Sequence, residues 1–170
     1  MIVIIDYGMG NLGSVLKSIR RISTDVIVST SSNDIVSGDK LILPGVGNFA
    51  TGMKRLKEYG YLKILEQKVL NNKTPILGIC LGMQLFSSYS DEGKSTGLNW
   101  IDAKVVKFKI KDRIKWKVPH MGWNSIKKNH LKRDGLFQNI SDNEMFYFVH
   151  SYHMVCDNKD DILTTSKYEY

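Results

Sequence analysis

The sequence has 170 residues, of which 42% are hydrophobic and 24% are charged, and its formal net charge is +7. This length and composition predict one globular domain with its own core and exclude a disordered chain. No apolar run approaches the roughly 20 residues that cross a bilayer, and the N-terminus lacks a signal-sequence pattern, so no membrane association is expected. Cys80 and Cys156 lack zinc-ligand spacing and indicate a reducing compartment, so we expect a cytoplasmic protein without a bound metal.

The first half of the chain alternates between strand and helix patterns. The apolar run at 2–5 predicts a buried strand, and apolar residues at helical spacing from Leu12 to Ile22 predict a helix that packs on it. The resulting β-α-β-(α)-β-α-β-α order predicts an α/β fold whose mostly parallel sheet is covered on both faces and binds ligands at the carboxyl ends of its strands. The remaining predicted elements are strands at 26–28, 41–43 and 76–79, a short turn capped by Asp34, and helical stretches at 49–56 and 62–69.

The C-terminal part is predicted to be mainly β, with strands at 123–126, 145–149 and 162–165. The basic charge is concentrated in residues 104–133, which hold eleven Lys and Arg residues and one Asp. Lysines alternate with apolar residues over 107–118, which predicts a hairpin with one buried and one lysine-rich face. This spacing argues against nucleic-acid binding and favours a solvated sheet face; a docking surface for an acidic partner or a phosphorylated ligand is the alternative.

Gly8, Gly10 and Gly13 form a Gly-x-Gly-x-x-Gly pattern after the first predicted strand, where dinucleotide-binding folds hold a pyrophosphate. The second predicted strand is followed by serine and threonine instead of the acidic residue that a dinucleotide ribose needs. An ordinary glycine turn or a partner-facing loop is therefore favoured, and no organic cofactor is expected.

Cys80 lies in the sequence Gly78-Ile79-Cys80-Leu81-Gly82, between a predicted buried strand and a predicted helix. A side chain on such a sharp turn projects above the sheet when glycines flank it, and a helix N-terminus favours a thiolate. This arrangement favours a nucleophile over a small core cysteine. A proton shuttle is also required, but structural or ligand-positioning roles are favoured for all four histidines, which are His120, His130, His150 and His153.

Pro44-Gly45-Val46-Gly47 follows the predicted third strand and is predicted to end it sharply. Taken alone, the string is best explained as a turn. In the functional interpretation, the backbone N–H groups of Val46 and Leu81 converge on the oxygen of a tetrahedral intermediate formed at Cys80.

Five strings, taken together and in chain order, resemble the class I glutamine amidotransferases, and the similarity covers nearly the whole chain. The string at 119–124 resembles in particular the glutaminase subunits of imidazole glycerol phosphate synthases. The resemblance implies a flavodoxin-like three-layer fold. The five strings are Asp6-Tyr7-Gly8-Met9-Gly10-Asn11, Pro44-Gly45-Val46-Gly47, Gly78-Ile79-Cys80-Leu81-Gly82-Met83-Gln84, Pro119-His120-Met121-Gly122-Trp123-Asn124 and Tyr147-Phe148-Val149-His150-Ser151-Tyr152.

The resemblance implies an enzyme that hydrolyses L-glutamine to glutamate and ammonia, which a separate (β/α)8-barrel cyclase subunit consumes in histidine biosynthesis. Cys80 would form a γ-glutamyl thioester, with Val46 and Leu81 as oxyanion donors after a flip of the Gly45–Val46 region. The implied glutamine-binding residues are Gly45, Gly47, Gln84, Glu92, Ser151 and Tyr152, and the implied partner-interface residues are Asn11, Pro119, Met121, Trp123 and Tyr147.

The family places its catalytic histidine and glutamate in a His-Pro-Glu motif beyond the segment that matches 162–170, and this sequence contains no such motif. No triad partner is therefore assigned. We expect a C-terminal truncation that removes a strand, this motif and a closing helix; a degenerate subunit or completion by another chain are the alternatives. The expected consequences are exposed apolar surface and negligible glutaminase turnover by these 170 residues alone.

Two other functions stay open at this point. Residues 97–102 and the predicted lysine hairpin resemble glutaminase subunits that supply ammonia for amidination of a cell-surface sugar. A non-catalytic regulatory or scaffold module is the second alternative. For the enzyme we expect a heterodimer whose basal activity is low until the partner binds.

Overall fold

The computed structural model describes residues 1–129, 135–137, 139–141 and 144–169. Strands and helices alternate up to Gln84 in the predicted order, which confirms the α/β class. The elements of this half are β1 (Ile2–Ile5), α1 (Leu12–Ile19), β2 (Val26–Ser29), α2 (Ser32–Ser37), β3 (Lys40–Gly45), α3 (Phe49–Glu58), α4 (Tyr61–Glu66), a π-helical turn (Gln67–Asn71), β4 (Ile76–Cys80) and α5 (Leu81–Gln84).

The first four strands form one parallel sheet in the order β2-β1-β3-β4. β3 pairs with β1 on one side and with β4 on the other, and the last pair of the β3–β4 ladder places Gly45 opposite Cys80. Because the strands are parallel, their carboxyl ends share one edge of the sheet. The segments that follow β1, β3 and β4 therefore meet at that edge.

Helices cover both faces of this sheet, as predicted. Ile4, Val26 and Ile42 pack with the apolar side of α1 on one face, whereas Val3 and Ile5 belong to the larger core shared with α3, α4 and α5 on the other. Successive side chains of a strand point to opposite faces. A strand covered on both sides therefore needs an apolar residue at each position, which explains the continuous apolar run of β1.

Two boundaries in this half differ from the prediction. α1 ends at Ile19, and Ile22 is 81% exposed, so Ile22 does not belong to the packing stripe. β3 continues through Pro44 to Gly45 instead of ending before them. β1 pairs with β3 only as far as Ile42, so the N–H that Pro44 lacks interrupts no ladder on that side.

The second half is mainly β, as predicted. It forms a mixed sheet in the order β11-β7-β5-β6 and two antiparallel ribbons, β10-β8 and β12-β9. The elements are β5 (Tyr89–Ser90), β6 (Ser95–Thr96), β7 (Ala103–Lys107), β8 (His120–Ser125), β9 (Lys127–Lys128), a 3-10 turn (Gly135–Phe137), β10 (Met145–His150), β11 (Tyr152–Cys156), a 3-10 turn (Lys159–Asp161) and β12 (Thr164–Thr165).

The predicted lysine hairpin is wrong. β7 pairs with β5 and β11, and residues 108–118 form a loop without strand pairing. The backbone N–H groups of Lys111 and Asp112 donate instead to the carboxylate of Glu169, at 3.0 and 2.8 Å. A distant acidic side chain thus supplies the acceptors that a neighbouring strand would supply in a hairpin, and no local pattern encodes that contact.

Apolar side chains are exposed along the edge strand β4 and its continuation. Leu77 of β4 and Met83 of α5 are 43% and 42% exposed. A second group of exposed apolar side chains lies on the β8-β10 ribbon. Over the parts of the chain that the structure describes, no helix is both long and apolar enough to span a membrane.

Candidate active site

Cys80 lies at the turn between β4 and α5, and its side chain is exposed. Its backbone has φ 55° and ψ −116°, a positive-φ conformation that is costly for a residue with a Cβ. The pairing with Gly45 ties the turn to the parallel sheet. The thiol therefore stands at the carboxyl edge of the sheet, on the type of strained strand-to-helix turn that presents nucleophiles.

The glycines on either side of Cys80 are required by close packing. A Cβ on Gly82 would collide with the carbonyl oxygen of Leu43, and a Cβ on Gly78 would lie 2.5 Å from the Cα atom of Met83. The helix after the turn has only four residues. Its dipole is correspondingly small, so the turn geometry, more than the helix, distinguishes this cysteine.

The loop after β3 lies beside this turn. Val46 directly follows the ladder partner of Cys80 and is exposed, whereas Leu81 directly follows Cys80 and is buried. Gly47, the next residue of the loop, has φ 104°, which a residue with a Cβ does not tolerate. The two amides predicted as oxyanion donors are thus each one residue away from the Gly45–Cys80 pair.

Tyr7 lies against Gly45, the last residue of β3, and was missed by the sequence analysis. Its side chain is fully buried, and its hydroxyl has no hydrogen-bond partner among the described residues. A Cβ built on Gly45 would lie 2.7 Å from this hydroxyl oxygen. Burial, and secondarily the charge of Cys80, raise the pKa of Tyr7, so its hydroxyl stays neutral.

Gln84 and Tyr152, two predicted glutamine-binding residues, are in direct contact. The Nε2 atom of Gln84 donates to the carbonyl oxygen of Tyr152 at 3.1 Å. Gln84 ends α5, Tyr152 begins β11, and Ser151 lies in the bend before β11. This hydrogen bond joins the parallel-sheet half to the β-rich half within one helical turn of Cys80.

Glu92, a predicted glutamine-binding residue, contacts the start of α3 from a separate loop. Its Oε2 atom accepts the backbone N–H of Phe49 at 2.8 Å, at the first residue of α3. A carboxylate at a helix N-terminus is stabilised both by the charge-assisted hydrogen bond and by the helix dipole. Glu92 therefore holds the segment that follows Gly47, and its predicted contact with glutamine stays a prediction.

The glycine pattern after β1 forms the turn into α1. Gly8 and Gly10 have φ 78° and 117°, and a Cβ on Gly10 would lie 3.2 Å from the Cβ of Pro44. The pattern thus lets the turn pack on the end of β3, which agrees with the favoured interpretation as a turn. Asn11 caps α1 by accepting a backbone N–H at 3.2 Å.

The histidines near the site are engaged with other aromatic and polar groups. The Nδ1 atom of His120 lies 3.1 Å from the Nε2 atom of His150, and the ring of His153 stacks at 4.7 Å from that of Phe108. Burial, and secondarily His150, lower the pKa of both His120 and His153. His130 lies outside the described residues. No group of three His, Cys, Asp or Glu side chains in the described ranges is arranged to hold a metal ion.

The predicted partner-facing residues lie mainly on the outer face of the β8-β10 ribbon. Trp123 and Tyr147 are direct cross-strand neighbours with ring centroids 5.7 Å apart, and they are 68% and 55% exposed. Met121 lies two residues from Trp123, so it shares this face, and it is 61% exposed. Pro119 directly precedes β8, whereas Asn11 belongs to the turn after β1.

The amino-acid sequence is similar to those of known proteins over nearly its whole length. Three imidazole glycerol phosphate synthase subunits illustrate the similarity. HisH 2 of Methanococcus maripaludis is 51% identical over 99% of this chain and 82% of its own length. HisH 2 of Pseudomonas aeruginosa is 43% identical over 99% and 81%, and HisH 1 of Campylobacter jejuni is 46% identical over 94% and 78%.

Solved structures share the fold at low sequence identity. A putative GMP synthase subunit from Thermoplasma acidophilum has a TM-score of 0.66 at 18% identity, covering 98% of this chain and 73% of its own. A glutamine amidotransferase from Thermotoga maritima has a TM-score of 0.55 at 17% identity, covering 91% and 62%. Residues 3–169 match the model of the class-I glutamine amidotransferases. Together with the identities to the HisH proteins, this match shows that the chain belongs to the class-I glutamine amidotransferase family.

Proposed function

We propose that the protein is a glutaminase subunit of an imidazole glycerol phosphate synthase, which releases ammonia from L-glutamine for use by a cyclase subunit in histidine biosynthesis. The observation that carries this proposal is the exposed Cys80 thiol on a strained turn beside the loop after β3. Strain of this kind persists only where the surrounding structure holds it, and it is concentrated at functional sites. The identities of 43–51% to proteins named HisH support the assignment of the pathway.

In the proposed reaction, the Cys80 thiolate attacks the side-chain carbonyl carbon of glutamine. The new C–S bond moves the carbonyl π electrons onto oxygen, and the N–H groups of Leu81 and Val46 stabilise this oxyanion. When the oxyanion collapses, the C–N bond breaks, the nitrogen takes up the equivalent of the proton that the Cys80 thiol lost, and ammonia leaves a γ-glutamyl thioester behind. Water then hydrolyses the thioester to glutamate and restores the thiol. No described residue is assigned the proton transfers.

Glutamine is proposed to bind at the junction of the two halves of the chain. The Gln84–Tyr152 hydrogen bond supports this placement because it brings the β-rich half to within one helical turn of Cys80. Glu92, which anchors the segment after Gly47, extends the binding site along the loop after β3. The full proposed set is Gly45, Gly47, Gln84, Glu92, Ser151 and Tyr152.

The ammonia acceptor is proposed to be a (β/α)8-barrel synthase subunit that forms a heterodimer with this chain in the cytoplasm. Its docking is assigned to the exposed side chains of the β8-β10 ribbon, with Asn11 and Pro119 beside it. Exposed Trp, Tyr and Met side chains next to one another are enriched in protein–protein interfaces. Trp123 and Tyr147, which contact each other across the ribbon, would be the anchors.

Labelling with a diazo-ketone analogue of glutamine tests the nucleophile directly. We expect one label, located on Cys80 by peptide mass spectrometry, and protection of that residue by excess L-glutamine. The Cys80→Ala variant should lose the label, and the matched Cys156→Ala variant should keep it. Labelling that L-glutamine does not reduce would contradict the proposal.

A second candidate is a glutaminase that supplies ammonia for amidination of a cell-surface sugar. One observation favours it: the sequence at 97–102 resembles the glutaminase subunits of that branch. Pull-down with each candidate synthase, followed by a glutamine-dependent product assay, separates the two. Binding and product formation with the sugar amidotransferase alone would overturn the histidine assignment.

A further inference from the structure

The inner face of the β8-β10 ribbon carries two histidines that the proposed chemistry does not use. His120 and His150 are direct cross-strand neighbours, as Trp123 and Tyr147 are on the outer face. Side chains alternate between the faces of a strand, so each pair keeps to its own side. One short ribbon thus presents aromatic residues to a partner on one side and imidazoles to the protein interior on the other.

The hydrogen bonds define which nitrogen atoms of the two rings carry protons. The Nδ1 atom of His150 lies 2.8 Å from the carbonyl oxygen of Tyr152, and a carbonyl only accepts, so this Nδ1 is protonated. The Nε2 atom of a neutral His150 then accepts from the Nδ1–H of His120 at 3.1 Å. The Nε2 atom of His120 is left to accept from the amide of Asn124 at 3.5 Å. Donation therefore runs in one direction, from β8 to the Tyr152 carbonyl.

The Tyr152 carbonyl also accepts from Gln84, at 3.1 Å. A carbonyl oxygen has two lone pairs and accommodates both donors. His150 and Gln84 therefore hold the same peptide group, one from the ribbon and the other from the helix that begins directly after Cys80.

Stacking keeps the His120 ring in place. His120 is only 4% exposed. Its ring lies 3.9 Å from that of Tyr168 and 4.8 Å from that of Phe148, both in stacked orientation. Burial lowers the pKa of His120, in agreement with the neutral tautomer that the hydrogen bonds require. A ring packed in this way moves with β8 instead of rotating independently of it.

We infer that His120 and His150 are positioning residues that fix the Tyr152 carbonyl and, through it, Gln84. The two histidines also link this carbonyl to the partner-facing ribbon. The inference deepens the proposed function and rests on it, because Gln84 and Tyr152 are assigned there to glutamine. His150 acts on Tyr152 directly, whereas His120 acts only through His150. The two residues are therefore expected to have different kinetic signatures.

Kinetics of a glutamine-hydrolysing complex with the synthase subunit test this difference. His150→Phe removes the donor to Tyr152 and should raise the glutamine KM about tenfold. His120→Phe leaves that donor in place, so KM should stay within about twofold while the stimulation of kcat by the partner falls about tenfold. His150→Asn, whose side-chain N–H replaces Nδ1–H, should restore KM without restoring the stimulation. His153→Phe is the matched control and should leave both quantities within about twofold.

Nitrogen NMR of the imidazoles in the free protein provides a readout that does not depend on activity. We expect Nδ1–H at both His120 and His150. An Nε2–H tautomer at His150, or an unchanged KM and stimulation in His150→Phe, would overturn the inference. A wild-type complex that forms no ammonia from glutamine would instead contradict the proposed function, and the tautomers would still decide whether the pair is linked to Tyr152.

Discussion

The backbone strain at Cys80 predicts that a Cys80→Gly variant is more stable than a Cys80→Ala variant. With φ 55° and ψ −116°, a residue with a Cβ bears a strain of about 1–3 kcal/mol. Glycine relieves this strain but loses about 0.5–1 kcal/mol through the greater entropy of its unfolded chain. The difference favours glycine by about 1 kcal/mol. For a chain of this size, the Tm of Cys80→Gly should therefore lie about 2–4 °C above that of Cys80→Ala.

Cys156 provides the matched comparison in the same protein. It lies in β11, and its φ is not positive. Both pairs of variants lose a thiol, so that loss cancels when glycine is compared with alanine. In β11 glycine should be the less stable substitution, by about 0.5–1 kcal/mol. Two-state denaturant titrations of the four variants measure both differences. The same sign at the two sites would refute the argument that the turn at Cys80 is strained.

Three further predictions concern the surroundings of the site. Gly82→Ala should lower Tm sharply because its Cβ would collide with a β3 carbonyl. Gly13→Ala lies at an open helix position and should raise Tm slightly. Equal shifts of Tm in the two variants would contradict the packing argument. Tyr7→Phe should leave the free energy of unfolding unchanged or raise it, since it removes a buried hydroxyl that has no partner among the described residues. Tyr61→Phe breaks a 2.6 Å hydrogen bond and should cost about 1 kcal/mol in denaturant titrations. The pKa of His120 is lower in the folded state than its ordinary value of 6.5, so the unfolded state binds the proton more strongly. The contribution of His120 to the free energy of unfolding is therefore fully present above about pH 6.5 and is lost as the pH falls through the folded-state pKa. His120→Gln should flatten this pH dependence, and an unchanged slope would assign the effect to other groups.

The fold was predictable where burial determines the sequence pattern. β1 is apolar at each of its positions because helices cover both faces of the sheet, and this pattern is visible in four consecutive residues. The loop at 108–118 was not predictable, because its alternation of lysines and apolar residues is the ordinary signature of a hairpin. The acceptor that replaces a partner strand is Glu169, at the far end of the chain. Local periodicity contains no information on such a contact.

The same distinction applies to the candidate site. Cys80 was identified because its glycine neighbours are adjacent in sequence and their packing leaves a local signature. Tyr7 was missed because its relation to the site arises only when β1 and β3 pair and bring Gly45 against its hydroxyl. The sequence analysis assigned no proton-shuttle role to His120 and His150. It also could not find their mutual hydrogen bond, which depends on the register of β8 against β10.

The two halves of the chain contribute differently to the site, and one carbonyl group joins them. The parallel sheet alone sets the geometry of Cys80, through the Gly45 pairing and the glycines that flank the turn. The β-rich half supplies the Tyr152 carbonyl, which Gln84 and His150 both contact. A disturbance of the ribbon should therefore alter how glutamine is held before it alters the nucleophile. Under the proposed function, a partner docked on the outer face of the ribbon would regulate turnover without touching the strained turn, since backbone pairing that the ribbon does not share holds the turn.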